Sequence, residues 1–247
     1  MDRLIYIAMT GANHVLLQQA SVAHNLANAT TTGYRAQTNS FRALPVVGEG
    51  APTRAFVVDS TTGADFTPGV IEQTGRDLDV AINGNGWIAV QAADGSEAYT
   101  RSGSLQTGPN GLLQTRDGLN VMGDGGPIAI PPDSAITVAK DGTISTIPAG
   151  QTPNTITVLG RIKLVNPPDG NLVRGDDGLF RLKDGTAAPA DANVALAPSS
   201  LESSNVNVAQ ALVDMIGLAR QFEMQMKLLQ TAQSDANQAE QIMNINA

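Results

Sequence analysis

The chain has 247 residues, enough for one large domain or two small ones with a sizeable core. Its apolar fraction is an ordinary 42%, but aromatics make up only 4% and glycines number 25, which predicts a core of Val, Ile, Leu and Ala crossed by many turns. A net charge of −8 without a basic run argues against phosphate-driven nucleic-acid binding, no apolar run reaches the roughly 20 residues that span a bilayer, and the absence of cysteine removes disulfides, thiolate chemistry and cysteine-held zinc.

Residues 4–28 read as a helix. Ile5, Ala8, Ala12, Val15, Gln19, Val22 and Leu26 alternate in steps of three and four, and six of these seven positions are apolar. That spacing is a seam for another helix. The helix would be roughly 35 Å long and too one-sided to stand alone. After Asn28 the threonines lower helix propensity, and Gly33 supplies a stop. Arg3 and Ala27-Asn28-Ala29 imitate a cleaved export signal, but Asn13, His14, Gln18 and Gln19 break its apolar middle, so a mature helix is the stronger reading.

Residues 36–65 carry Pro45, Gly48, Gly50 and Pro52 and read as a connector with a short strand at 54–58. Residues 66–204 change character. Leu78 to Gln91 reads as two apolar strands around Asn83-Gly84-Asn85-Gly86. Asp-Gly or Asn-Gly then recurs at 94, 110, 117, 141, 169, 177 and 184, with short apolar runs between. These dipeptides suit the positive φ of hairpin turns and predict antiparallel strands.

Residues 208–245 are helical again, with Asn207 as N-cap and Gln210 placed for a capping box. Their seam is Leu212, Met215, Ala219, Phe222, Met226, Leu229, Gln233, Ala236, Glu240 and Met243. The fold class is therefore α+β, with long N- and C-terminal helices forming a coiled coil and a central antiparallel β-rich domain. Residues 1–35 and 205–247 form the helical domain, 36–65 the connector and 66–204 the β domain. The first helix stops because the chain must leave the helical pair and enter the β domain.

Motifs that could carry chemistry have simpler readings. Gly84-Asn85-Gly86-Trp87-Ile88-Ala89 spells a dinucleotide fingerprint, but a strand follows where that fingerprint needs a helix. Asp77 with Asp79, or Asp176 with Asp177, have no calcium-loop spacing, and Asp beside Gly is turn chemistry. His14 and His24 are ten residues apart and share no metal-binding spacing. Residues 199–204 are serine-rich without a nucleophile elbow. No catalytic residue, cofactor, metal or small-molecule substrate is expected.

Two terminal signatures carry a resemblance. Ala23-His24-Asn25-Leu26-Ala27-Asn28-Ala29-Thr30-Thr31-Thr32-Gly33-Tyr34 and Leu201-Glu202-Ser203-Ser204-Asn205-Val206-Asn207, followed by Met215-Ile216 and Arg220-Gln221-Phe222-Glu223, resemble the paired end motifs of the axial proteins of the bacterial flagellum. Thr74 to Gly86 and Tyr99-Thr100-Arg101-Ser102-Gly103 resemble that family's central β motifs. The opening residues 1–12, residues 54–69 and the total length are most similar to its proximal-rod members, with the distal-rod members next.

The resemblance implies a structural subunit of the basal-body rod. It implies export through the flagellar export apparatus without a cleaved signal peptide, a place in the rod across the periplasm, and partners among other rod proteins and copies of itself. Terminal helices would form an inner tube and β domains an outer shell. The expected assembly interface comprises Ile5, Ala8, Ala12, Val15, Gln19, Val22, Asn25, Leu26, Asn28 and Gly33 with Asn205, Asn207, Leu212, Met215, Ala219, Phe222, Met226 and Leu229. Asn25 and Asn28 would fix register beside the seam. Competing classes are a β-rich cell-wall glycan hydrolase and an adhesin. Trimming both helices separates them, because a hydrolase or adhesin core keeps its activity while a rod subunit loses assembly.

Overall fold

The computed structural model describes residues 2–45, 55–132, 134–148 and 156–245. The described residues fall into two compact units. A helical unit draws on Met1–Ala29, Gln37–Asp65 and Val206–Ala247, and a β unit on Thr30–Ala36 and Phe66–Asn205.

In the helical unit, α1 spans Asp2–Ala27 and α2 spans Val208–Ile245. At 38 residues, α2 is roughly 57 Å long. The helices run antiparallel: the Gly11 backbone of α1 meets the Gln225 side chain, while Val22 and Val213 line one groove. Ala8, Ala12 and Val15 are buried and Ile5, Gln19, Val22 and Leu26 half-buried, so the expected α1 stripe is the covered one. On α2 the covered positions are Ala211, Met215, Leu218, Ala219, Phe222, Gln225, Leu229 and Ala232. The seam read from the sequence shares Met215, Ala219, Phe222 and Leu229 with these, but it is displaced elsewhere. Leu212 and Met226 are exposed. Residues 211–218 are apolar on several faces, so spacing alone does not select between two stripes that differ by one residue. Ala236, Glu240 and Met243 lie outside the residues whose side chains are described.

Asn207 caps α2 as expected, its Oδ1 accepting from Gln210 N at 3.1 Å. The box is only half made. The Gln210 amide turns forward and donates to Asp214 at 2.8 Å.

Of the expected connector, residues 46–54 with Gly48, Gly50 and Pro52 lie outside the described residues, and the described parts are strands where an irregular path with one short strand at 54–58 is expected. β1 (Gln37–Pro45) and β2 (Ala55–Ala64) form an antiparallel ribbon with Gln37 opposite Ala64, and a bulge at Ser40/Phe41. The ribbon packs on α1. His14 meets the Phe41 ring edge-on at 5.6 Å between centroids. Asn25 pairs with both backbone groups of Gln37, accepting from N at 2.7 Å and donating to O at 2.9 Å. Its amide therefore anchors the start of β1.

The β unit contains β3 (Ile71–Gln73), β4 (Val80–Asn83), β5 (Trp87–Gln91), β6 (Glu97–Thr100), β7 (Leu105–Thr107), β8 (Leu113–Thr115), β9 (Asn120–Gly123), β10 (Gly126–Pro127), β11 (Ser134–Val138), β12 (Thr143–Pro148), β13 (Thr157–Arg161), β14 (Leu164–Val165), β15 (Leu172–Arg174), β16 (Phe180–Leu182), β17 (Ala195–Pro198) and β18 (Ser200–Glu202). All pairings are antiparallel. The main sheet runs β15-β16-β6-β5-β9-β8-β7, with β14 on β5 and β10 on β9. β11-β12-β13 form a second sheet, and β17-β4 and β18-β3 pair separately. The core joins Val80, Ile82, Ile88, Val90, Leu105, Leu113, Val121, Ile144, Ile162 and Leu164, each at most 2% exposed.

The turn reading largely describes this unit. Gly95, Gly111, Gly118, Gly142 and Gly178 have φ between +72° and +86° and join successive antiparallel strands. Two details differ. Gly170 sits in a 3₁₀ turn at Asp169–Asn171. Asn83 to Gly86 is a corner and not a hairpin, because β4 pairs with β17 while β5 joins the main sheet.

At the turns, exposed Asp side chains accept from the residue two positions on. Asp94 accepts from Ser96, Asp141 from Thr143, Asp184 from Thr186 and Asp191 from Asn193. The Ser96 and Thr143 side chains hold the carboxyls of Asp94 and Asp141 below the usual carboxylate range, and the Thr186 and Asn193 backbones do the same for Asp184 and Asp191. Inside, the Tyr99 hydroxyl donates to Glu97 at 3.0 Å and accepts from Ala188 N at 2.6 Å, and burial pushes it up to about 12.

A carboxyl lowered on folding stabilises the fold above its unfolded value and loses that contribution as pH falls through the folded one. The melting temperature of the β unit, read from the single tryptophan, should stay level from about pH 7 to about pH 5 and drop below about pH 4. The Asp141→Asn/Asp184→Asn variant, which keeps the turn acceptors without charge, should drop less. Equal acid sensitivity of variant and parent rejects the turn carboxylates as its source.

Candidate functional site

The two terminal signatures meet in the β unit. The chain comes in through Thr30–Ala36 and leaves through Ser199–Asn205, and these segments are bonded to each other. Gly33 N donates to Glu202 O at 2.8 Å. Asn205 accepts from Ala36 N at 2.7 Å and donates to Thr67 O at 3.0 Å. Gly33 has φ +68°, and a Cβ there would lie 2.2 Å from the Arg101 carbonyl carbon. Only glycine satisfies both the left-handed backbone and the close approach.

At the centre is the Glu202 carboxylate, delivered by β18 through its pairing with β3. Oε1 lies 2.8 Å from Arg35 Nη2, and Oε2 accepts from Arg101 Nη1 at 3.0 Å. Gly69 N donates to Oε1 at 2.9 Å. The three side chains are 1%, 0% and 4% exposed for Glu202, Arg35 and Arg101. Backbone carbonyls take further guanidinium protons: Thr67 O accepts from Arg35 at 2.7 Å and Gly84 O from Arg101 at 2.9 Å.

One carboxylate is shared by two guanidinium groups, and an aromatic face lies against one of them. Arg101 lies 5.4 Å from the Trp87 centroid. Trp87 contacts Phe180 at 4.6 Å and Phe66 at 5.9 Å. Arg174 stacks on Tyr34 at 4.5 Å and donates to Arg35 O at 3.0 Å. Cation–π attraction of this kind grows when the charge is desolvated. Arg101 Nε has no hydrogen-bond partner among the described residues.

Of the residues read as interface from the sequence, Gly33 and Asn205 sit at this junction. Asn25 holds β1, and the Asn28 amide donates to His24 O at 2.9 Å. The sequence reading passed over Arg35, Arg101 and Glu202. Each stands within or next to a quoted motif, and charge is scarce in this chain, at 15% of residues. Charged residues embedded among small and apolar ones were the available signal.

The helical unit presents the second notable feature. Tyr6, Met9, Leu16 and Leu17 on α1, and Leu212, Val213, Ile216, Met224, Met226 and Leu228 on α2, are exposed. Apolar side chains on a helix surface at this density mark an interaction face. No cluster of three or more potential metal ligands occurs among the described residues, and no described helix is long and apolar enough to cross a membrane.

Gly33→Ala should destabilise the β unit by at least about 2–3 kcal/mol, since strain and backbone overlap act together. Asn205→Ala, which orphans the Ala36 and Thr67 groups, should cost about 1–3 kcal/mol. Urea unfolding followed at Trp87 measures both. A Gly33→Ala midpoint equal to the parent's contradicts the required approach.

Residues 81–146 match the model described as flagellar hook protein FlgE/F/G D1 domain, and residues 197–242 match flagellar basal body rod FlgEFG protein C-terminal. The chain is 49% identical over 252 residues to the flagellar basal-body rod protein FlgF of Escherichia coli, covering 100% of both chains. It is 48% identical to the FlgF of Salmonella typhimurium, again over 100% of both. With the flagellar basal-body rod protein FlgG of Agrobacterium fabrum it shares 32% over 95% of this chain and 97% of that one. The chain belongs to the flagellar basal-body rod protein family.

Proposed function

We propose that the protein is a structural, non-catalytic subunit of the flagellar rod on its proximal side. The observation that carries this reading is the outward apolar surface of the helical unit. α1 and α2 cover one stripe of each other and leave Tyr6, Met9, Leu16, Val213, Ile216 and Met224 exposed. Each such side chain gains about 2 kcal/mol on burial, so the surface favours association. A filament needs two different, complementary patches on each subunit, because a self-complementary two-fold contact closes into a dimer.

In this reading the α1–α2 pair is a coiled coil that contributes to an inner tube. Ile5, Ala8, Ala12, Val15, Gln19, Val22 and Leu26 hold α1 to α2 with Met215, Ala219, Phe222 and Leu229, while Leu212 and Met226 are free to meet neighbours. The partners are adjacent rod proteins, copies of itself and the export apparatus, and its place is in the rod across the periplasm. Full-length similarity to the FlgF proteins supports the proximal position over a distal one. The buried charges of the β unit are committed to one another, which supports a structural role over hydrolysis.

Leu16→Asp and Ile216→Asp place charge on the exposed face without touching the covered stripe. Both variants should fold with the parent's helical circular dichroism and fail to restore swimming to a host lacking its own copy. Normal swimming with either aspartate removes this face from the assembly.

A further inference from the structure

Residues 195–202 supply the strand partners of elements at the start of the β unit. β17 pairs with β4, and β18 pairs with β3. Gly33, in the incoming segment, bonds to Glu202 O. The same short stretch brings the carboxylate that faces both Arg35 and Arg101, the latter 101 residues earlier in the chain. Val80, Ala81 and Ile82 of β4 are at most 1% exposed, so the strand that depends on β17 is also part of the core.

These features combine into a constraint on when the unit can close. Burying a guanidinium is strongly unfavourable without an anionic partner, and removing one member of a buried ion pair does far more harm than replacing the whole group with apolar side chains. A β unit assembled without residues 195–205 would enclose Arg35 and Arg101 without the carboxylate that faces both, and β3 and β4 would lack their strand partners. Arg101 already leans on the Trp87 face.

We propose that Glu202 is a folding checkpoint: the β unit closes around Arg35 and Arg101 only when its last segment delivers this carboxylate. A chain that emerges amino end first therefore keeps the whole unit open until residue 202 has arrived. A premature, partly closed β domain is disfavoured by electrostatics as well as by missing strands. This property belongs to the β unit and stands apart from the helix face argued above.

The test compares full-length Glu202→Gln with the full-length triple variant Arg35→Met/Arg101→Met/Glu202→Met by amide hydrogen exchange and Trp87 fluorescence. In Glu202→Gln, which keeps shape and removes charge, protection across β4, β5, β6 and β9 should fall together by about a hundredfold or more, and Trp87 emission should move toward that of a solvated indole. The triple variant should recover most of the protection. Loss confined to Gly69 and residues 199–205, with β5, β6 and β9 still protected, overturns the proposal, because Glu202 is then a local staple. A triple variant as open as Glu202→Gln also overturns it, because the pairing of charges is then not what governs closure.

Discussion

The Glu202 carboxylate, shut away from water between Arg35 and Arg101, is the constraint around which the β unit is arranged. Charges at 0–4% exposure are tolerated only with close partners, so the backbone must hold all three side chains within narrow limits. Thr67 and Gly84 present carbonyls to the guanidinium groups, Gly69 presents an N–H to the carboxylate, and Trp87 presents its face to Arg101. An apolar cluster of similar volume would be at least as stable in principle. What the ionic version adds is selectivity, since it penalises every arrangement in which one member is missing.

That selectivity acts on topology. The β unit is not a chain of independent hairpins. Its successive turns at Gly95, Gly111, Gly118, Gly142 and Gly178 close local strand pairs, but β3 and β4 find their partners only in β18 and β17. Local pairs form early because little chain must be closed, whereas the distant pairs carry the entropy of a long loop. The buried ion pair, the Gly33–Glu202 bond and the Asn205 contacts all fall on the distant pairs, where directional interactions are needed most to define a unique register.

The helical unit obeys a different rule. α1 and α2 each carry more apolar surface than one partner can cover. The covered stripes are narrow and rich in alanine, with Ala8, Ala12, Ala211, Ala219 and Ala232, and the larger residues Met9, Leu16, Ile216 and Met224 are exposed. A self-sufficient helical pair would not leave large apolar residues outward in this number.

The elements and their type were legible in the residues alone. Spacing of three and four placed both helices, with the second read as 208–245 and observed over Val208–Ile245, because an apolar stripe must recur with the helical period wherever it is buried. Asp-Gly and Asn-Gly located the turns, because few other pairs accept the backbone that a tight hairpin requires. The end signatures gave the family. Packing selected which apolar stripe of α2 is covered, since the two candidate stripes share Met215, Ala219, Phe222 and Leu229 and differ elsewhere by one residue. It also made residues 37–45 and 55–64 a ribbon anchored by Asn25, sent β4 and β5 to different sheets, and drew residues 30–36 into the β unit. The ionic centre was the least legible part. Arg35, Arg101 and Glu202 are far apart in the chain, and neither periodicity nor local propensity carries information about which distant charges will be buried together.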